Sequence, residues 1–282
     1  MIAMLAMPKL NTFLFSEMDQ EFWDACAVGD LAGAQAIAAR PGFVRATAVA
    51  DDNGAFHWAC SRGHLAVVQW LHTMFELTGA DARSDDNCAF QGVCTNGHLA
   101  VARWLHATFG LTGADARRDD NYALRAACRN GHLAVARWLH TTFGLTGADA
   151  RSRDNFAFHW ACEYGRLEVA QWLHATFELT GADARSDDNL AFRDACQRGH
   201  LAVAQWLHQT FGLEVADVEP FVEQVLTTAH GDIHDLIYRI YEESKSGPAG
   251  LDGDAHANYA AARARILAAR QAQQDQIKPA RR

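Results

Sequence analysis

Apolar and polar positions along residues 51–220 follow a pattern that resets every 34 residues. The blocks begin at Asp51, Asp85, Asp119, Arg153 and Asp187, and the second and third copies differ at only eight positions. In the first block Phe56, Ala59, Cys60 and Gly63 stand at i, i+3, i+4 and i+7, one buried stripe of a helix. Gly63 ends that helix, because a left-handed residue is easily adopted there. Asn53, just ahead of the stripe, predicts an N-cap whose side chain accepts from the first-turn amides. Leu65, Val68, Leu71, His72 and Phe75 make a second stripe, widened by Val67, Trp70 and Met74. That predicts a second, more buried helix over residues 65–75. Thr78 and Asp81 then have capping-box-like spacing, which predicts a one-turn helix or a tight turn. The pair recurs at Thr112/Asp115, Thr146/Asp149 and Thr180/Asp183, but Glu214 replaces Thr in the fifth copy, where the motif is expected to decay.

A fixed period of this size marks an elongated all-α solenoid, in which each unit buries its face against its neighbours. The expected organisation is a poorly structured leader over 1–18, a degenerate cap over 19–50, and five repeats over 51–84, 85–118, 119–152, 153–186 and 187–220. A second degenerate cap over 221–243, a flexible linker over 244–256 and a basic Ala/Arg-rich helical tail over 257–282 complete it. In the first cap Phe22, Ala25, Cys26, Gly29 and Leu31 hold the register, and its second helix is expected over 32–40.

The repeat resembles the ankyrin repeat. The likeness rests on Ala59-Cys60-x-x-Gly63-His64-Leu65-x-Val67-Val68-x-x-Leu71 and on Gly79-Ala80-Asp81, with similar runs beginning at Val93, Ala127, Ala161 and Ala195. The resemblance covers residues 19–243 and implies an ankyrin-type helix-turn-helix array whose first helices line a concave, partner-binding face. The family's Thr-Pro-Leu-His opening is replaced by Gly54-Ala55-Phe56-His57, and the segment after the second helix is longer. A turn or a short helix therefore competes with the family's β-hairpin. The Asp-Asn-x-Ala-Phe and Trp-Leu-His-x-x-Phe-x-Leu-Thr runs resemble the ankyrin arrays of giant viruses of amoebae.

Composition narrows the partners. The formal net charge is -9, and residues 256–282 carry six Lys/Arg against one Asp, so the rest of the chain is strongly acidic. An acidic body lacks the clustered basic groups that phosphates require, so no nucleic-acid partner is expected. No apolar stretch is long enough to span a membrane, and the apolar start is short and interrupted by Pro8-Lys9. A monomeric, intracellular, cytoplasmic protein is expected, in the host cell if viral.

Cys26, Cys60, Cys94, Cys128, Cys162 and Cys196 share one register. Packed helices lie about 8–10 Å apart, beyond the roughly 7 Å Cα limit of a disulfide. They read as small buried hydrophobes with free thiols, suited to a reducing compartment. His64, His98, His132 and His200 occupy the Gly-His-Leu turn, and His72, His106, His140, His174 and His208 follow each Trp-Leu. One histidine per rung keeps like residues a repeat apart, whereas zinc ligands converge at about 2 Å. Hydrogen bonds to loop backbone are the better reading, and neither metal, cofactor nor catalytic residue is expected. The Trp70, Trp104, Trp138, Trp172 and Trp206 ladder reads as inter-repeat core. Acidic residues before each Asn (Asp52, Asp86, Asp120, Asp154 and Asp188) are expected to pair with Arg83, Arg117, Arg151 and Arg185 along one edge.

The copies also serve as an internal alignment. On the first helix, positions off the buried stripe vary: Trp58, Gly92, Ala126, Trp160 and Asp194 share one register, and His57, Gln91, Arg125, His159 and Arg193 another. The position after the Asn holds Gly54, Cys88, Tyr122, Phe156 and Leu190. The pair before the glycine reads Ser61-Arg62, Thr95-Asn96, Arg129-Asn130, Glu163-Tyr164 and Gln197-Arg198. Second-helix surface positions vary less, and Glu76 is only Glu or Gly across the copies. This contrast predicts a non-catalytic scaffold that binds another protein on its first-helix face. The contact set is Trp58, Ser61, Arg62, Gln91, Thr95, Asn96, Tyr122, Arg125, Arg129, Asn130, Trp160, Glu163, Tyr164, Arg193, Asp194, Gln197 and Arg198. Trp58 and Trp160 suit either binding anchors or burial between adjacent first helices. An alternative is a substrate-recruiting adaptor, for example to a ubiquitin ligase, with a terminus as its docking element.

Overall fold

The computed structural model describes residues 17–43, 50–228 and 231–245, together with positions 257, 260, 261, 264, 267 and 268. The expected leader, linker and tail fall almost wholly outside these residues. The chain divides into two compact units at Arg118/Asp119. Among the described residues every regular element is helical.

The second helices are Leu65–Phe75, Leu99–Phe109, Leu133–Phe143, Leu167–Phe177 and Leu201–Phe211, each at the predicted register. The third elements are one-turn helices, Gly79–Ala82, Gly113–Ala116, Gly147–Ala150, Gly181–Ala184 and Val215–Val218. This resolves the choice left open by the longer connecting segment in favour of a helix. In the first cap Asp30 accepts from the Gly33 amide at 2.9 Å, so the second helix there begins at Leu31 and runs to Ala38. After the fifth repeat come a 3-10 turn, Glu219–Phe221, and the helices Val222–Thr228 and Gly231–Lys245.

The first-helix stripes are core as predicted, but on the second helix only Val67, Val68, Leu71 and Phe75 are buried and Met74 is 55% exposed, so the first helix, packed between its neighbours, is the more buried of the two. Phe56, Ala59 and Cys60 are buried, as are Phe90, Val93 and Cys94 in the next copy. In the second unit Leu124, Ala127 and Cys128, then Phe158, Ala161 and Cys162, do the same. All seven cysteines are free thiols, and the six in register are buried. Burial pushes the Cys26 thiol up to about 12 and Cys128 and Cys162 further, so they pack as neutral groups. The Trp-Leu-His histidines face two ways. His72 Nδ1 lies 3.0 Å from Leu77 O, and its ring meets the next repeat's Phe109 edge to face at 5.2 Å. His174 repeats this with Leu179 O at 2.8 Å and Phe211 at 5.1 Å. Trp104 meets His72 of the preceding repeat at 5.6 Å, and Trp206 meets His174 at 6.0 Å, so these tryptophans make inter-repeat contacts while staying half-buried.

Two expectations about caps and edge charges are overturned. Asn53 does not cap a helix: its φ is +66°, and its Nδ2 donates to Asp81 Oδ1 at 3.2 Å. In later copies a run of three residues is left-handed, as at Asp85, Asp86 and Asn87 with φ of 48°, 53° and 64°. That backbone carries the Asn side chain away from the first-turn amides, and the Asn53, Asn87, Asn121, Asn155 and Asn189 Oδ1 atoms are buried without a hydrogen-bond partner. Asp and Asn tolerate this conformation better than most residues.

Arg83, Arg151 and Arg185 also bypass the acidic residues before the Asn. Arg83 Nε reaches Asp115 Oδ1 at 2.9 Å, Arg151 reaches Asp183 at 2.7 Å, and Arg185 reaches Asp217 at 2.8 Å. Each acceptor is the capping-box aspartate of the following repeat. Asp183 Oδ2 also accepts from the Thr180 amide at 2.7 Å and its hydroxyl at 2.9 Å. The box survives at Glu214, whose amide donates to Asp217 at 2.8 Å, contrary to the expected decay. The half that matters is the aspartate accepting a backbone N–H, which any residue other than proline supplies.

Burial alone raises the Asp183 carboxyl, but hydrogen bonds from Arg151 and Thr180 outweigh it and hold it at about 2. The unfolded carboxyl titrates near 3.9. Its stabilisation is therefore complete above about pH 4 and is lost as pH falls through about 2. Asp183→Asn is expected to flatten the loss of the urea midpoint between pH 4 and pH 2, and a midpoint falling in parallel with the parent's refutes this assignment.

The restricted choice at the Glu76 register has a backbone cause. Glu76 and Glu178 are left-handed at φ 52°, where Gly110, Gly144 and Gly212 stand in the other copies. That position closes the second helix with its amide bonded to the histidine carbonyl of the preceding turn. Its constancy is conformational, which removes it as evidence for a partner. Glu178→Gly is expected to raise stability by about 0.5–1 kcal/mol, read from the urea midpoint; an unchanged or lowered midpoint counts against it.

Candidate functional site

First helices run Ala50–Ser61 and Ser84–Asn96 in the first unit, and Ser152–Glu163 and Ser186–Gln197 in the second. Within each unit these neighbours pack side by side. The Gly-His-Leu turn pins their ends. His64 Nε2 lies 3.0 Å from Ala27 O, and His98 bonds the Ser61 backbone. Arg166 takes the histidine's place in the fourth copy and donates from Nε to Arg129 O at 3.1 Å. His200 bonds the Glu163 backbone. Variable side chains at Ser61, Arg129 and Glu163 thus project from backbone held by the following repeat, a role for these turn residues that the sequence pattern alone did not assign.

In the first unit much of the variation is internal packing. A Cβ on Gly54 would sit 2.0 Å from the Trp23 ring, and one on Gly92 3.0 Å from Ser61 Cβ. Asn96 Nδ2 donates to Ser61 O at 3.0 Å and Ser61 Oγ at 2.9 Å, joining two candidate residues. Thr95 Oγ1 turns back to Gln91 O at 2.8 Å, and Gln91 Nε2 to Asp86 O at 3.0 Å. Arg62 lies over the half-buried Trp58 at 5.4 Å.

The second unit carries a stacked basic and aromatic strip. Arg129 lies 5.5 Å over Trp160 and 4.6 Å over Tyr164, and donates to the Tyr164 hydroxyl at 2.6 Å. Arg198 also lies over Tyr164, at 4.8 Å, and pairs with Glu163. Trp160 is half-buried and also meets Phe156 at 5.6 Å. Arg193 pairs with Asp194 at 3.5 Å, and Asn130 and Gln197 are half-buried. Guanidinium over an aromatic face is worth about 0.5–1 kcal/mol where exposed, and it holds both groups in one rotamer.

Arg125 corrects the expected contact set. Its side chain is buried, lying against Tyr122 at 5.7 Å and Trp160 at 5.4 Å. Its guanidinium donates to Asp120 O at 2.9 Å and Asp119 O at 2.8 Å, carbonyls of the left-handed turn. It braces that turn and offers no surface. His159 is likewise interior: burial holds its imidazole at about 4, and its Nε2 lies 2.9 Å from Ser186 Oγ.

Arg125→Ala is expected to destabilise by about 2–4 kcal/mol, since it leaves a cavity and two carbonyls without their donor. Arg129→Ala should cost under about 1 kcal/mol. Chemical denaturation of both variants measures the contrast, and equal losses remove the distinction between brace and surface.

No curated protein matches the sequence. The family described as ankyrin repeats (3 copies) matches residues 56–154 and again residues 126–218, together more than half of the chain. With the helix-turn-helix register repeating through those residues, the chain belongs to the ankyrin-repeat family.

Proposed function

We propose that this chain is a non-catalytic protein-protein interaction scaffold whose partner docks on the first-helix face, anchored by the Arg129, Trp160, Tyr164 and Arg198 strip. Ankyrin repeats are in general protein-binding modules. Among the described residues no helix is long and apolar enough to cross a membrane. The observation that carries the reading is the strip itself. It gathers the residue types that dominate interface energetics, Trp, Tyr and Arg, on backbone pinned by the next repeat. Two guanidinium groups on an otherwise acidic protein favour an acidic segment of the partner. The likeness of the repeats to the arrays of giant viruses of amoebae extends this reading to a monomeric protein in the host cytoplasm that captures a host protein.

The test combines Arg129→Glu, Tyr164→Ala and Arg198→Glu in the full chain. Capture from amoebal extract, compared quantitatively with the parent, is expected to lose its enriched partner at least about tenfold, with the melting temperature little changed. Retention of the same partner at the same level overturns the assignment. The recruitment-adaptor reading differs in requiring a terminal docking element. Under it, removing residues 1–18 or residues 257–282 releases a second protein while the first stays bound.

A further inference from the structure

The joint between the first two repeats brings unlike residues together. His57 lies on the helix Ala50–Ser61, and Asp85 and Cys88 lie early in Ser84–Asn96. One ligand-capable atom from each of His57, Asp85 and Cys88 lies within 4.8 Å of the other two. The imidazole is buried, the thiol half-buried and the carboxylate exposed, so solvent reaches the trio through Asp85. The Cys88 thiol donates to the Asp85 carboxylate. In the same three registers the later copies hold Gln91, Asp119 and Tyr122, then Arg125, Arg153 and Phe156, then His159, Asp187 and Leu190. Each lacks a thiol. The sequence comparison set each histidine against its own equivalent, so it passed over a set drawn from three registers.

The imidazole is held in the form a metal requires. Ser84 Oγ donates to Asp81 O at 2.7 Å, which commits its proton. His57 Nε2, 3.1 Å from that oxygen, is then the donor of the pair, the tautomer whose lone pair is on Nδ1. A hydrogen bond that fixes the tautomer from behind is the usual companion of a metal-bound histidine. The His159 copy keeps this arrangement: Nε2 lies 2.9 Å from Ser186 Oγ, which donates to Asp183 O at 2.7 Å. There, with Leu190 at the cysteine register, His159 Nδ1 is buried with no hydrogen-bond partner.

The geometry points to a divalent transition-metal site of the zinc class, formed by the His57 imidazole, an Asp85 oxygen and Cys88 Sγ, with one coordination position left to water or to a partner's side chain. An imidazole, a thiolate and a carboxylate suit zinc, whereas calcium and magnesium take oxygen ligands. Zinc bonds of about 2.0–2.3 Å place ligand atoms roughly 3.5 Å apart, so closure calls for side-chain movements of about 1 Å. As the metal–sulfur bond forms, the Cys88 proton passes to solvent.

Cobalt(II) is the probe, titrated into the reduced full-length chain. One equivalent is expected to bind, with thiolate-to-cobalt charge-transfer absorption and tetrahedral visible bands, and zinc(II) should displace it. Cys88→Leu, which installs the residue of the fifth copy and so suits the fold, is expected to abolish the charge-transfer band. His57→Gln should weaken binding at least about tenfold, and Ser84→Ala by about 10–100-fold. Zinc should raise the melting temperature of the parent but not of Cys88→Leu. Absence of cobalt uptake, an octahedral spectrum, or the same spectrum in parent and Cys88→Leu overturns the site.

Discussion

Within each compact unit, one aspartate per boundary ties neighbouring repeats together. Asp115 accepts from the Thr112 amide at 2.7 Å, from the Thr112 hydroxyl at 3.0 Å, from Arg83 of the preceding repeat, and from Asn87 Nδ2 at 3.3 Å. A half-buried carboxylate needs this many donors to stay ionised. Its demands fix the short helix, the orientation of the arginine and the left-handed Asn turn together. Arg83 Nη2 also donates to Gly110 O at 3.0 Å, so the same guanidinium closes the end of the next repeat's second helix. Within each unit a repeat thus completes the hydrogen bonding of its neighbour, while the His–Trp–Phe edge contacts and the Phe and Cys stripes supply the apolar burial between them.

The helices were legible because their apolar spacing is unambiguous: Leu65 to Phe75 is stripe, and Gly63 marks the turn before it. The one-turn helix was half legible, since Thr78 and Asp81 gave the spacing but not the outcome. What the sequence hid was long-range or conformational. Asn53 has the chemistry of a cap, yet only backbone angles show that it sits at positive φ. Arg83 has several acidic candidates nearby in sequence, and the one it selects is 32 residues away. At the candidate surface Arg129 and Tyr164 were visible as variation, but nothing in the copies distinguished them from Arg125, which varies because it fills an interior space.

That distinction changes how variation within a repeat protein is weighed. Gly54 and Gly92 differ from their counterparts because Trp23 and Ser61 occupy the space a Cβ needs. Glu76 and Glu178 sit where a left-handed residue is required. Setting such positions aside leaves a smaller set of variable residues that reach the surface, among them Arg129, Tyr164 and Arg198.

The arginine-to-aspartate link also bears on how such an array changes length. Donor and acceptor lie 32 residues apart in Arg83–Asp115, Arg151–Asp183 and Arg185–Asp217, always across one boundary of a 34-residue unit. A recombination event that inserts or deletes one whole period between these links reconnects a guanidinium to a carboxylate at the new junction. An event of any other length strands one of each. At the next register the chain carries Glu219 instead of arginine, so the chemistry that lets the interior grow also marks where growth stops.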